Sequence, residues 1–94
     1  MKVTVKFFTT LREITGKREE EITSSGHITL EKLLEDLSKK YGLRFVNYVY
    51  DEIGNVRSYL QLLVNGRSIT TMQGFKTRLK DGDRVAIIPP VGGG

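Results

Sequence analysis

An α+β roll, with one long helix lying across one mixed β-sheet, is the fold class this sequence predicts. Three observations carry that expectation. Leu30, Leu33, Leu34, Leu37 and Tyr41 recur at helical spacing behind Thr29, a residue type that caps helix starts. Val3, Val5 and Phe7 near the start, and Val85 and Ile87 near the end, fall on alternate positions, the period of two that marks a half-buried strand. Asn65-Gly66 is the strongest short hairpin signal in the chain, because both positions of the favoured two-residue turn need a positive φ. In order, the elements run strand, strand, helix, strand, strand, strand. The helix then joins the first hairpin to the later strands, and the first and last strands can lie side by side and parallel at the sheet centre.

Each element has a local reason. Lys2 to Phe8 forms the first strand, with Val3, Val5 and Phe7 on one face and Lys2, Thr4, Lys6 and Phe8 on the other. Leu11 and Ile14 anchor a short connection that turns at Gly16. Lys17 to Thr23 returns as the second strand, and its charge density, above all Glu19-Glu20-Glu21, predicts an exposed one. For the helix, Ile28 and Leu33 sit where a hydrophobic staple would place them, while Lys32 stands where a capping box would have Glu. Gly42 suits the residue just past the helix end, and Lys39-Lys40 suit the negative end of its dipole. From Leu43 to Ser58 the pattern is least regular: Val46, Tyr48 and Tyr50 alternate as in a strand, and Asp51 to Asn55 reads as a turn. Tyr59 to Val64 is a strand, and Arg67 to Thr70 returns beyond the Asn-Gly turn. Phe75 and Leu79 read as anchors of a polar loop, Asp81-Gly82-Asp83 as a turn, and Arg84 to Ile88 as the last strand. The expected domain spans residues 1–90, followed by a flexible glycine-rich tail at 91–94.

Composition narrows the function. Ninety-four residues fit one domain with one modest core. Without cysteine there is no disulfide framework, thiolate metal site or cysteine nucleophile. The single histidine, His27, falls in the loop before the helix and leaves no basis for a histidine metal cluster. No apolar run approaches the ~20 residues of a membrane span, and no signal peptide opens the chain, so a cytoplasmic location without membrane contact is expected. The net charge of +4 is spread from Lys2 to Arg84 without a clustered basic-aromatic face, which counts against a nucleic-acid partner. Tyr41, Tyr48, Tyr50 and Tyr59 read as packing residues. The carboxylates of Asp81 and Asp83 flank a turn glycine, where turn chemistry accounts for them better than a metal does.

The chemistry lies in Pro89-Pro90-Val91-Gly92-Gly93-Gly94. Two prolines fix φ and make a stiff, extended stalk. The residues after Pro89 reach on the order of 15–18 Å at ~3.1–3.6 Å each. Three glycines without Cβ atoms can thread a passage too narrow for any other residue. An α-carboxyl group with an ordinary pKa of about 3.5 is an anion at neutral pH and needs no local base to attack a phosphoryl group. Joined to AMP it becomes a mixed anhydride that a sulfur or amine nucleophile can open. The sequence has no phosphate loop of the P-loop type, so the ATP site must belong to a partner and no cofactor is expected to be bound.

In its Phe7-Phe8-Thr9-Thr10-Leu11-Arg12-Glu13 segment, and from Leu79 through Asp81-Gly82-Asp83 to Pro89-Pro90-Val91-Gly92-Gly93-Gly94, the chain resembles the β-grasp, ubiquitin-like sulfur carriers. Within them it looks most like the small subunit of molybdopterin synthase, and the resemblance covers nearly the whole length. It implies a non-catalytic carrier subunit whose terminal glycine, Gly94, is adenylated by a ubiquitin-activating-type enzyme and converted to a thiocarboxylate. Inserted into the large subunit of molybdopterin synthase, that group would give up sulfur for the dithiolene of the molybdenum or tungsten cofactor. Two departures from the family pattern stand out. Leu43 to Ser58 is longer than in short bacterial members, and Gly92 fills a position that varies, which places the functional pair at Gly93 and Gly94.

A docking surface follows from strand alternation. With Val3, Val5 and Phe7 toward the helix, Phe8 faces away, and the same rule turns Ile88 to the open face. Parallel neighbours bring Phe8 and Ile88 out at one end of the sheet, beside the tail. Ile69, beyond the Asn-Gly turn, is expected to join them, with Pro89, Pro90 and Val91 completing the partner surface. Related carriers dock through apolar residues at equivalent places. The same activated tail also fits a ubiquitin-like modifier joined through Gly94 to lysines, or a sulfur donor for tRNA thiolation.

Overall fold

The computed structural model describes residues 1–90. Its elements are β1 (Lys2–Phe7), α1 (Thr10–Thr15), β2 (Glu19–Thr23), α2 (Leu30–Tyr41), α3 (Leu43–Val49), β3 (Gln61–Val64), β4 (Arg67–Ser68) and β5 (Arg84–Ile88), with single 3₁₀ turns at Ile69–Thr71 and Gly74–Lys76. The five strands form one mixed sheet in the order β2-β1-β5-β3-β4. β1 and β5 are parallel neighbours at its centre, and every other pairing is antiparallel. This is the β-grasp roll that the sequence predicts, with α2 as its main helix.

The core lies between α2 and one sheet face. Val3, Val5 and Phe7 of β1, Val85 and Ile87 of β5, and Leu62 and Val64 of β3 meet Leu30, Leu33, Leu34 and Leu37 of α2. Each of these side chains is under 5% exposed. Burying a side chain of this size is worth roughly 1.5–3 kcal/mol, so the stripe of leucines is enough to fix which way α2 rolls. The Thr29 hydroxyl accepts the Lys32 amide at 3.3 Å and caps the helix. Gly42, at φ 79°, ends it. Asn65 and Gly66, at φ 52° and 82°, make the tight turn between β3 and β4.

Between Leu43 and Ser58 the fold departs from the expected strand. The alternation of Val46, Tyr48 and Tyr50 is outweighed by a helical pairing: Phe45 and Val49, four apart, are both fully buried, and they make α3 a helix that packs beside α2. The turn at 51–55 is present, with the Asp51 carboxylate accepting the amides of Ile53 and Asn55. The connection after β1 likewise tightens into the short helix α1, with Leu11 buried beneath it. Phe75 is no anchor, being 37% exposed, whereas Leu79 is fully buried. Tyr59 also stands half in solvent rather than packing. Arg67 to Thr70 is strand only at its first two residues, because the Ser68 side chain accepts the Thr70 amide and starts a 3₁₀ turn.

β2 is exposed only in part. Glu19 and Glu21 point outward, but Glu20 pairs across from Val5 on the core side and is buried. Its carboxylate accepts the ammonium of Lys40 and the hydroxyl of Tyr41, both from the last turn of α2, and Lys17 lies 3.4 Å away. Burial pushes the Glu20 pKa up, but hydrogen bonds from Lys40 and Tyr41 and the charges of Lys40 and Lys17 outweigh it, and the net shift is downward. A block of three glutamates thus hides one that ties the edge strand to the helix.

Candidate functional site: the open sheet face and the root of the tail

The site is built on β5. This central strand carries the chain straight into Pro89 and Pro90, so the tail leaves from the middle of the sheet rather than its rim. Register places the open face in rows. At the tail end lie Ile88, its β3 neighbour Gln61, and Phe8, one residue beyond the Phe7–Ile87 pair. The next row runs Glu19, Lys6, Ala86, Leu63, Ser68, and the one after it Glu21, Thr4, Arg84. Phe8, Ile88, Ala86 and Leu63 are all half-buried, and together they form an apolar strip that starts where the tail begins.

Phe8 is held from behind. The chain reverses after β1 in a turn closed by the Leu11 amide donating to the Phe8 carbonyl at 3.0 Å. Thr9 supplies the turn with φ 45° and ψ −114°, a region a β-branched residue seldom occupies, so backbone strain sits directly beside the apolar strip. The Arg12 Nε donates to the Phe7 carbonyl at 3.0 Å, and its guanidinium carbon lies 5.5 Å from the centroid of the Phe8 ring.

On the other flank of the tail root, Pro89 and Pro90 form one wall of a shallow cleft of about 540 Å³, whose remaining walls include Tyr59, Leu60, Ile69 and Phe75. The two exposed aromatics of the chain's later half, Tyr59 and Phe75, therefore frame the approach to the tail.

Of the residues expected to bind a partner, Phe8 and Ile88 are brought together on the open face, and Pro89 and Pro90 follow them. Ile69 is a correction. It is 5% exposed and belongs to the core, because β4 ends at Ser68 and the 3₁₀ turn rolls the next side chain inward. Leu63 takes the place expected of Ile69. Its position was available in the sequence, since strand alternation with Leu62 and Val64 inward leaves Leu63 outward. Val91, Gly92, Gly93 and Gly94 lie outside the described residues.

The remaining polar groups have structural roles. The Asp81 carboxylate accepts the Lys2 amide at 2.7 Å, and that of Asp83 accepts the Lys80 amide at 2.7 Å and the Asn65 side chain at 2.9 Å. They lock the turn that starts β5, as turn chemistry predicts. Among the described residues no group of three or more His, Asp or Glu side chains is placed to hold a metal ion, and no helix is long and apolar enough to cross a membrane.

Comparison with known proteins agrees with this geometry. The model of the ThiS family matches residues 5–94. Small archaeal modifier protein 3 of Haloferax volcanii is 32% identical over 94 residues, which span the whole of both chains. The sulfur carrier protein CysO of Mycobacterium tuberculosis is 33% identical over 95 residues, again the full length of both. A structure described as a putative molybdopterin converting factor, subunit 1, from Pyrococcus furiosus superposes with a TM-score of 0.75 at 34% identity, covering 96% of this chain and 98% of that one.

Proposed function

The chain belongs to the ThiS family of ubiquitin-like sulfur carriers, and from that premise we propose that it carries sulfur as a thiocarboxylate on Gly94 and delivers it to molybdopterin synthesis as the small subunit of molybdopterin synthase. The observation that carries this reading is the path of β5: a central strand, braced on both sides, leads into Pro89 and Pro90 beside an apolar strip, and the sequence continues Val-Gly-Gly-Gly. Rooting the tail in a central strand fixes where it leaves the body relative to that strip.

The chemistry needs two steps. A Gly94 carboxylate oxygen attacks the α-phosphorus of ATP in a ubiquitin-activating-type adenylating enzyme, and pyrophosphate leaves. A sulfide-level nucleophile then attacks the acyl carbon and expels AMP, leaving the thiocarboxylate. Inserted in the large synthase subunit, this group is the sulfur donor. The chain's own part is to dock, to root the tail beside the docking face and to supply a carboxylate that is already ionised.

Mass spectrometry of the protein from its native host tests the proposal. A species about 16 Da heavier, oxygen replaced by sulfur at a chain end on Gly94, is expected. Deleting Gly93-Gly94 should leave the melting temperature unchanged, since the core runs from Val3 to Ile87, and should abolish ATP–pyrophosphate exchange with the adenylating enzyme. Full exchange by the deleted form would overturn the mechanism.

A second reading has its own support, the full-length similarity to an archaeal modifier protein. On that reading an amine of lysine, rather than sulfur, opens the adenylate. Lysines of other proteins carrying the segment from Val85 to Gly94, which is what trypsin would leave because Arg84 is the last cleavage site, with no thiocarboxylate pool, would decide for it.

A further inference from the structure

Ion pairs among the described residues engage five of the chain's lysines. Lys32, Lys39, Lys40 and Lys76 pair with carboxylates on the helical side, and Lys17 with Glu20. On and beside the open sheet face, Lys6, Arg12 and Arg84 make no ion pair among the described residues. The carboxylates of this face stand on the edge strand β2, Glu19 across from Lys6 and Glu21 across from Thr4. The half of the face nearest the tail is therefore apolar at its centre, with Arg12 at its rim and the Lys6–Glu19 row behind it.

Arg12 is the best formed of these cations. Its Nε is committed to the Phe7 carbonyl, and its carbon sits 5.5 Å from the centroid of the Phe8 ring. The guanidinium carbon thus stands over an aromatic ring, and the group is anchored at its Nε. The two terminal nitrogens donate to nothing among the described residues. A guanidinium held in this way presents a planar pair of N–H groups at the rim of an apolar strip, a geometry that matches a carboxylate through two parallel hydrogen bonds.

We propose that Arg12 is the carboxylate-binding site of the docking face: an Asp or Glu side chain of the adenylating partner pairs with its terminal nitrogens while an apolar residue of that partner covers Phe8, Ile88 and Leu63. This rests on the carrier reading above. It adds the chemistry by which the partner recognises the body of the carrier, as distinct from its tail. The occupant is an acidic-apolar protein surface, chosen by charge complementarity with the unpaired Lys6 and Arg12. Arg12 acts in docking only and touches no reacting atom.

The test is steady-state ATP–pyrophosphate exchange with the adenylating enzyme of the same organism, titrating the full-length carrier. For the wild type, KM for the carrier should rise several-fold between about 50 and about 300 mM KCl, as screening weakens the pair. Arg12→Lys keeps the charge and loses the planar fork; its KM should rise about tenfold with kcat at saturating carrier unchanged. Arg12→Gln should raise KM at least as far and flatten the salt dependence. Melting curves on both variants separate docking from folding. A wild-type KM indifferent to salt overturns the proposal without any variant. So does a wild-type KM in both folded variants, or a loss confined to kcat. If the wild type supports no exchange at all, the carrier reading itself falls, and this inference with it.

Discussion

Replacing Glu20 by Gln is the sharpest probe of how the roll is held together. The carboxylate is buried on the core side of the edge strand β2 and receives a hydrogen bond from Tyr41, a charge-assisted one from Lys40, and a longer contact from Lys17 at 3.4 Å. Hydrogen bonds to a charged group contribute roughly 1.5–3 kcal/mol each when well made. Lys40 and Lys17 keep about half of their side chains in solvent, so screening discounts their share. Gln retains the shape and one acceptor for Tyr41 but loses the charge, and the expected cost is about 2 kcal/mol at pH 7. For a domain this size, 1 kcal/mol moves the melting temperature by roughly 4–8 °C, so a fall of about 8–16 °C is expected. The pH dependence gives a second, independent signature. The folded pKa of Glu20 lies below its ordinary value of 4.5. Its contribution is therefore complete above the unfolded value and lost as pH falls through the folded one. Denaturant melts of wild type and Glu20→Gln should differ at pH 7 and converge as the pH is lowered through the carboxylate range. Equal stability at pH 7, or a gap that persists undiminished in acid, would refute the claim that an ionised Glu20 pins β2 to α2.

Other substitutions separate core from surface. Ile69→Ala should cost about 2–4 kcal/mol in denaturant melts, because the side chain is 5% exposed and packed in the core, and should leave the carrier's KM unchanged while it is folded. Phe8→Ala should do the reverse, raising that KM far more than it lowers the melting temperature; a large thermal loss with unaltered KM would place Phe8 among the core residues. Thr9→Gly should stabilise the fold by about 1 kcal/mol by relieving φ 45°, read from the midpoint of a denaturant titration. Tyr41→Phe should remove stability at neutral pH and also blunt the loss seen in alkali. Burial, the hydrogen bond to Glu20 and its charge all push the Tyr41 hydroxyl pKa upward, so its contribution is full below the unfolded value near 10 and lost as pH rises.

The patterning of hydrophobic side chains alone determined which elements form the central layer. Val3, Val5, Phe7, Val85 and Ile87 alternate cleanly because one face of β1 and β5 is buried, and Leu30, Leu33, Leu34 and Leu37 form one stripe because a single helix must cover that face. The Asn-Gly turn, the Thr29 cap and the prolines after β5 act through local backbone geometry, which neighbours in sequence are enough to specify. The Phe8–Ile88 pair was legible for the same reason. Tertiary structure decided the rest. Val46, Tyr48 and Tyr50 satisfy a strand pattern as well as a helix one, and the burial of Phe45 and Val49 beside α2 chose the helix. Ile69 turned inward rather than outward because a side-chain hydrogen bond at Ser68 ended β4 after two residues. Glu20 went inward because Lys40 and Tyr41, twenty residues away in sequence, arrive together at the end of α2. Period and turn chemistry are written along the chain, but which of two permissible faces is buried depends on partners that only the folded chain brings into contact.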